Sequence, residues 1–253
     1  MAALAPPWFS WPQPPPPLFL SQQVLSLVGT QVQVTGREHI PPATPVLVVS
    51  NHRSLIDVPV LMAALDRPIA FACHPYMAQV PMLRDVVHQF GAFPLDHPCR
   101  RYGLFFRRAV AHLRQHQALG IFPEGAQPMV RLQAPTALNP FQRGFAHLAL
   151  RAAVPRLAVL PVAMVSRDRG FESPIPVRLL SWFDPTEPLF QQPGGHPVVV
   201  YRRVQVRIGE PLWITAAERQ RYRGREGVRL AQALSDDCWQ RVRSQLQSAP
   251  PGP

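Results

Sequence analysis

Four short, nearly unbroken apolar runs punctuate the first two thirds of the chain: PVLVVS (45–50), PIAFAC (68–73), ALGIF (118–122) and RLAVLPVAM (156–164). Runs of this length with no polar alternation read as strands buried on both faces. Between them, helical stretches start near Asp57, Arg100 and Phe141. Strand–helix alternation predicts an α/β fold, a single domain with a mostly parallel central sheet flanked by helices. Two later runs, VRLLSWF (177–183) and VVVYRRVQVRI (198–208), read as further strands. The second sets Val204, Val206 and Ile208 against Arg203, Gln205 and Arg207, so it is half exposed. A last helix is expected over 226–246, where Val228, Leu230, Leu234, Trp239, Val242 and Leu246 recur at mixed helical spacing.

The ends differ from this pattern. The first 36 residues carry no charged side chain and include the proline tract PQPPPP, which cannot form a helix. Residues 1–30 are read as a Pro-rich, aromatic arm with room for a short interfacial helix, since Trp8, Phe9, Trp11, Leu18, Phe19 and Leu20 suit a membrane interface. The plainer reading is an arm folded back on the domain. Residues 31–247 form the domain, with its motifs in 45–165, and 248–253 read as a disordered tail. The arm lacks the cationic start and unbroken apolar segment of a secretory signal, and no apolar run reaches the roughly 18 residues that span a bilayer.

Composition narrows the classes. Hydrophobic residues make up 47% of the 253, enough for a sizeable core and against a disordered chain. Three cysteines without CxxC spacing argue against a disulfide scaffold or zinc ribbon and for a reducing compartment. All 26 basic residues are arginine, and the formal charge of +11 favours anionic partners such as phospholipid surfaces, phosphorylated metabolites or nucleic acid. No helix-turn-helix, zinc-finger or RNA-recognition signature accompanies that charge, so no nucleic-acid partner is expected. The histidines show no HExxH-type spacing and no metal site is expected.

The sharpest segment is Asn51-His52-Arg53-Ser54-Leu55-Ile56-Asp57, directly after the first apolar run. Residues just past a strand's carboxyl end are where α/β proteins place ligand sites. Pro59 is tolerated only within a helix's first turn, so the helix starts near Ser54 to Asp57 and leaves His52 in the turn. The H-x4-D spacing then folds the Asp57 carboxylate toward the imidazole. A carboxylate on Nδ1–H fixes the tautomer and stabilises the imidazolium, making His52 a general base. Ser54 and Asp57 also match S-x-x-[DE], which serves equally as a helix cap. Two more segments end strands or open helices: Phe122-Pro123-Glu124-Gly125, a tight turn, and Phe141-Gln142-Arg143-Gly144, at a helix amino end that favours anions. In Leu160-Pro161-Val162-Ala163 a proline interrupts an apolar run, pointing to a strand edge or a special backbone approach. Singly, each of these also reads as scaffold.

Taken together and in this order, NHRSLID, GAFPLD (91–96), FPEG, FQRG and LPVA resemble the lysophospholipid/glycerolipid acyltransferase family typified by 1-acylglycerol-3-phosphate acyltransferase. The resemblance implies transfer of a fatty acyl group from acyl-CoA or acyl-carrier protein, as co-substrate, to a lysophospholipid hydroxyl, with 1-acyl-sn-glycerol-3-phosphate the first acceptor and no cofactor. It makes His52 the general base, Asp57 its orienting carboxylate, and Glu124 and Gly125 part of the acceptor site. An oxyanion hole is then needed, sought among backbone N–H groups near the His52 turn or the 160–163 strand end. In two places the chain departs from the family's usual blocks. His97 follows GAFPLD and Gln127 follows FPEGA, where the family carries arginines implicated in holding the acceptor's phosphate. Arg100, Arg101 or Arg143 would supply that charge from another backbone position. An arginine stripe at 100, 107 and 114 beside Arg101 and Arg108 is either the solvated face of a core helix or a contact with anionic headgroups. A cytoplasmic protein peripheral to the inner face of a membrane is expected. The alternatives are a different hydroxyl acceptor, or an acyltransferase fold that binds a membrane surface without turnover.

Overall fold

In the computed structural model, residues 15–80, 83–95, 103–185 and 187–248 are described. The four apolar runs become β2 (Val46–Ser50), β3 (Ile69–Cys73), β5 (Ala118–Ile121) and β6 (Leu157–Val165). They are joined by β1 (Gln31–Thr35), β4 (Phe93–Pro94), β9 (Arg203–Ile208) and β10 (Leu212–Ile214) in one eight-stranded sheet, while β7 (Phe171–Pro176) and β8 (Gly195–Val198) make a separate antiparallel pair. The sheet runs β1-β9-β6-β2-β5-β3-β4, with β10 also on β6. Pairs β2–β6, β2–β5, β5–β3, β3–β4 and β1–β9 are parallel; β6 meets β9 and β10 antiparallel.

Helices α1 (Pro17–Leu27), α2 (Asp57–Leu65), α3 (Leu83–Gln89), α4 (Gly103–Arg114), α5 (Gln127–Val130), α6 (Gly144–Arg151), α7 (Ala216–Arg221) and α8 (Gly224–Gln247) surround it. Every residue of β2 is buried because consecutive side chains enter different cores. Val46 and Val48 join α2 and Leu25 of α1, whereas Leu47 and Val49 join α4, α6 and α8. That double cover is why the strand carries no polar alternation.

Four expectations are changed by packing. VRLLSWF is a 3-10 helix (Val177–Trp182), not a strand. Its spacing of three puts Val177, Leu180 and Phe183 onto a satellite cluster with Phe190, a fit that an extended chain lacks. The run 198–208 is not one strand either: β8 ends at Val198 and β9 starts at Arg203. In α8 the buried line is Ala231, Ser235, Cys238, Val242 and Leu246, with Val228 turned to solvent. Small side chains there let the helix approach the sheet closely, which a search for bulky residues overlooks. Finally, α1 sits inside the span read as an arm, yet it packs on α2, with Leu25 buried and Ser21 Oγ against Met62 Sδ at 3.2 Å. Residues 1–14, and the tail from 249, lie outside the described residues.

Pro161 stands in the middle of β6, at the point where its neighbour changes. β10 pairs with 157–159 and β9 with 162–165. No partner needs an N–H in that gap, and the Pro161 carbonyl accepts the Gly209 N–H at 2.9 Å. The proline marks a special backbone approach inside the sheet.

Gly120 in β5 is required by a neighbour. A Cβ there would lie 2.3 Å from the Phe71 ring, which is itself fully buried in β3. Gly120→Ala is expected to cost about 1–3 kcal/mol through overpacking, measured as a lower urea midpoint at unchanged slope.

Candidate active site

Sheet register brings the two strongest segments together. β2 and β5 are parallel neighbours with Val49 beside Ile121, so the residues three further on, His52 and Glu124, leave the same edge side by side. On the other flank β6 receives Asn51. Its side chain donates Nδ2–H to the Met164 carbonyl (3.0 Å) and accepts the Met164 N–H on Oδ1 (2.8 Å), extending the ladder by one mock backbone pair. The turn that follows is thereby anchored to the sheet before His52 begins.

Asp57 opens α2 and is fully buried. Its Oδ2 accepts from His52 Nδ1 (2.8 Å) and from the N–H groups of Arg53 (2.7 Å) and Ser54 (2.9 Å). Its Oδ1 accepts the Tyr201 hydroxyl at 2.7 Å. The carboxylate therefore ties down the turn before the helix rather than capping the helix's own first N–H groups. Ser54 also serves another purpose, donating its hydroxyl to the Val199 carbonyl at 2.5 Å. His52 stacks flat on Phe122, centroids 4.0 Å apart and planes within 7°, and Phe122 stacks on Phe71. With Nδ1 and one ring face held, Nε2 is the atom left to accept a proton, and the side chain is 14% exposed. Such an arrangement can deprotonate a hydroxyl.

Glu124 is 4% exposed and faces inward. Oε1 accepts the His52 N–H (3.0 Å), and Oε2 accepts both the backbone N–H (2.7 Å) and Nδ2 (2.8 Å) of Asn139. Asn139 in turn exchanges hydrogen bonds with Gln133, and its carbonyl accepts the Trp239 indole N–H from α8 at 3.0 Å. Burial pushes the Glu124 carboxyl above its ordinary value, against the pull of the Asn139 and His52 donors and the His52 ring. Both oxygens are engaged within the protein, so Glu124 clamps two turns together instead of projecting toward an acceptor.

Gly125 has φ +74°, and Gln142 Nε2 lies 2.8 Å from where its Cβ would be. The Gln142 N–H bonds the Pro123 carbonyl (2.8 Å), which seats the FQRG loop on the FPEG turn and brings the exposed Arg143 to the same rim. Arg100, Arg101 and His97 fall outside the described residues. At the His52 turn the N–H groups of 52, 53 and 54 are spent on carboxylates and do not serve as oxyanion donors. Residues 160–163 do not end a strand but lie within β6. Surface depressions of about 400 Å³ along α4 and about 240 Å³ beside Pro45 and Pro155 are lined by none of these side chains.

Residues 31–165, just over half of the chain, match the acyltransferase family profile, and the segment holds His52, Asp57 and Glu124. The chain belongs to the acyltransferase family. It is 30% identical over 168 residues to the mouse 1-acyl-sn-glycerol-3-phosphate acyltransferase alpha, covering 58% of this chain and 52% of that one. The chain spans about half the length of several curated relatives it matches. A lyso-ornithine lipid O-acyltransferase of Brucella abortus is 29% identical over 256 residues, covering 92% of this chain and 82% of its own. The crystal structure of the Thermotoga maritima 1-acyl-sn-glycerophosphate (LPA) acyltransferase superposes with a TM-score of 0.57 over 93% of this chain and 80% of that one, at 18% identity, and shares the fold.

Asn139 is not singled out in the sequence, and the roles of Phe122, Tyr201 and Trp239 at the site, stacking on His52 and bonding Asp57 and Asn139, are not legible there. Tyr201 and Trp239 lie beyond the matched segment. Burial and then the adjacent Asp57 carboxylate push the Tyr201 phenol well above its ordinary value, so it stays a donor throughout the neutral range. Tyr201→Phe leaves a buried carboxylate oxygen unpaired and is expected to cost about 1–3 kcal/mol, read by chemical denaturation. An unchanged midpoint would remove this bond from the site's support.

Proposed function

We propose that this chain transfers a fatty acyl group from an acyl thioester, acyl-CoA or acyl-carrier protein, to the hydroxyl of a lysolipid, acting peripherally at the inner face of a membrane. The observation that carries the reading is the His52–Asp57 pair at 2.8 Å, with the ring stacked on Phe122, an arrangement that engages Nδ1 and leaves the proton chemistry to Nε2. His52 Nε2 takes the proton as the acceptor oxygen attacks the thioester carbonyl. Asp57 stabilises the imidazolium so formed. The tetrahedral intermediate collapses, the C–S bond breaks, and the imidazolium returns its proton to the leaving thiolate. A thioester is already activated, so no acyl-enzyme is needed. In keeping with that, burial pushes the Cys73 thiol up to about 12, leaving it protonated and unreactive near neutral pH.

The names of the mammalian and bacterial relatives support 1-acyl-sn-glycerol-3-phosphate as acceptor. A second reading rests on a separate observation: the Brucella relative matches nearly end to end, and Gln127 stands where the family's usual block carries an arginine. Gln127 brings no charge to a phosphate, and an ornithine headgroup carries no phosphate.

Purified protein with a long-chain acyl thioester and a lysolipid panel is expected to release free thiol. His52→Ala abolishes release with the fold retained by circular dichroism, and Asp57→Asn lowers it by about 10²- to 10⁴-fold. Turnover persisting in His52→Ala would sink the mechanism. Side-by-side rates with 1-acyl-sn-glycerol-3-phosphate and lyso-ornithine lipid decide the acceptor. Cys73→Ser is expected to keep turnover within about threefold, since a protonated thiol takes no part; loss of activity there would point to a covalent route.

A further inference from the structure

The β7–β8 pair, with the 3-10 helices Val177–Trp182 and Pro188–Gln191 between its strands, is tied to the His52 turn at both feet. Arg53 Nη2 donates to the Asp168 carbonyl at 3.2 Å, just before β7, and Ser54 Oγ donates to the Val199 carbonyl, just after β8. The excursion between those tethers exposes an unusual amount of apolar surface. Trp182 is 79% exposed and Phe171 and Ile175 are each 59% exposed. The inward edge of the 3-10 helix, Val177 and Leu180, packs on the satellite cluster, so Leu179 and Trp182, three apart, share the opposite edge. Leu55 and Val200, next in sequence to the two tethers at Ser54 and Val199, are also exposed.

The charge around it is mainly positive. Arg169, Arg178 and Arg202 are exposed, against one exposed carboxylate, Glu172, which accepts the Gly195 N–H (3.3 Å), and the half-buried Asp168, which accepts from Ser166 and the Arg202 N–H. The helix α4, the other basic face, differs in kind: its apolar residues Phe105, Ala109, Val110 and Leu113 are spent in the core, leaving Arg107, Arg108 and Arg114 over solvent with Leu104 as the exposed aliphatic. A tryptophan-tipped apolar edge flanked by arginines fits the boundary between acyl chains and anionic headgroups.

We propose that the surface carrying Phe171, Ile175, Leu179 and Trp182, with Arg169 and Arg178 beside it, docks on an anionic phospholipid bilayer, and that the Arg53–Asp168 and Ser54–Val199 bonds hold the His52 rim at that bilayer. This surface rests on the peripheral membrane action proposed above and deepens it; binding is measured without turnover, so failure of this surface and failure of acyl transfer are read separately.

The test is co-sedimentation of the full chain with vesicles of phosphatidylcholine and phosphatidylglycerol in equal parts, and with phosphatidylcholine alone. Leu179→Ser with Trp182→Ser is expected to weaken binding to the mixed vesicles by about tenfold or more, with an unchanged melting curve because both side chains are exposed. Trp182→Phe retains most of the affinity. Arg169→Ser with Arg178→Ser removes the preference for phosphatidylglycerol. The proposal is overturned if wild type binds neither vesicle, if the Leu179/Trp182 variant binds like wild type, or if Arg107→Ser with Arg108→Ser causes the larger loss. It is equally overturned if sedimentation velocity shows a wild-type dimer that the Leu179/Trp182 variant abolishes, since the edge would then be covered by a second copy.

Discussion

The buried Asp57 carboxylate is the constraint around which the site is built. A charge taken wholly out of water is tolerated only when its lone pairs are filled by well-placed donors. Here four donors converge on it: one imidazole, two backbone N–H groups and one phenol. Each donor removed leaves an oxygen that no water reaches. The requirement runs both ways, because satisfying the carboxylate compels the 52–54 backbone to wrap around it and puts the imidazole in one orientation. The orientation of the imidazole and the local folding requirement are thus the same set of bonds.

A second buried carboxylate, Glu124, does for the strand exits what Asp57 does for the ring. It joins the β2 turn to the loop at Asn139, and through Asn139 to Trp239 in α8. The parallel register supplies the coarse placement, since His52 and Glu124 stand three residues past a paired position. The clamp supplies the fine placement. Helix α8 still reaches the His52 backbone through three consecutive hydrogen-bonded contacts.

How much of this was legible depends on the range of the interaction. The β2 and β5 runs announce themselves because burial on both faces removes polar residues, and the His52–Asp57 pairing because it closes within one turn. The FPEG and FQRG segments are visible as turns, but the inward aim of Glu124 is set by Asn139, in a stretch with no periodicity to read. Tyr201 sits in VVVYRRVQVRI, where strand alternation hides it, and its partner is 144 residues away in sequence. Likewise VRLLSWF satisfies either a strand or a 3-10 spacing, and only the satellite core at Phe190 decides between them. Local chemistry is written locally; what aims it is tertiary.

That division bears on how the His52 site is supported along the chain. The matched segment 31–165 carries His52, Asp57 and the Glu124 clamp. The donors that complete them, Tyr201 on Asp57 and Trp239 on Asn139, come from beyond it, as do the Asp168 and Val199 carbonyls that receive Arg53 and Ser54. The later third of the chain is therefore part of what orients His52 and not an appendage to it. Substitutions there reach the His52 turn through buried hydrogen bonds, so the ring's orientation depends on residues that the matched segment does not contain.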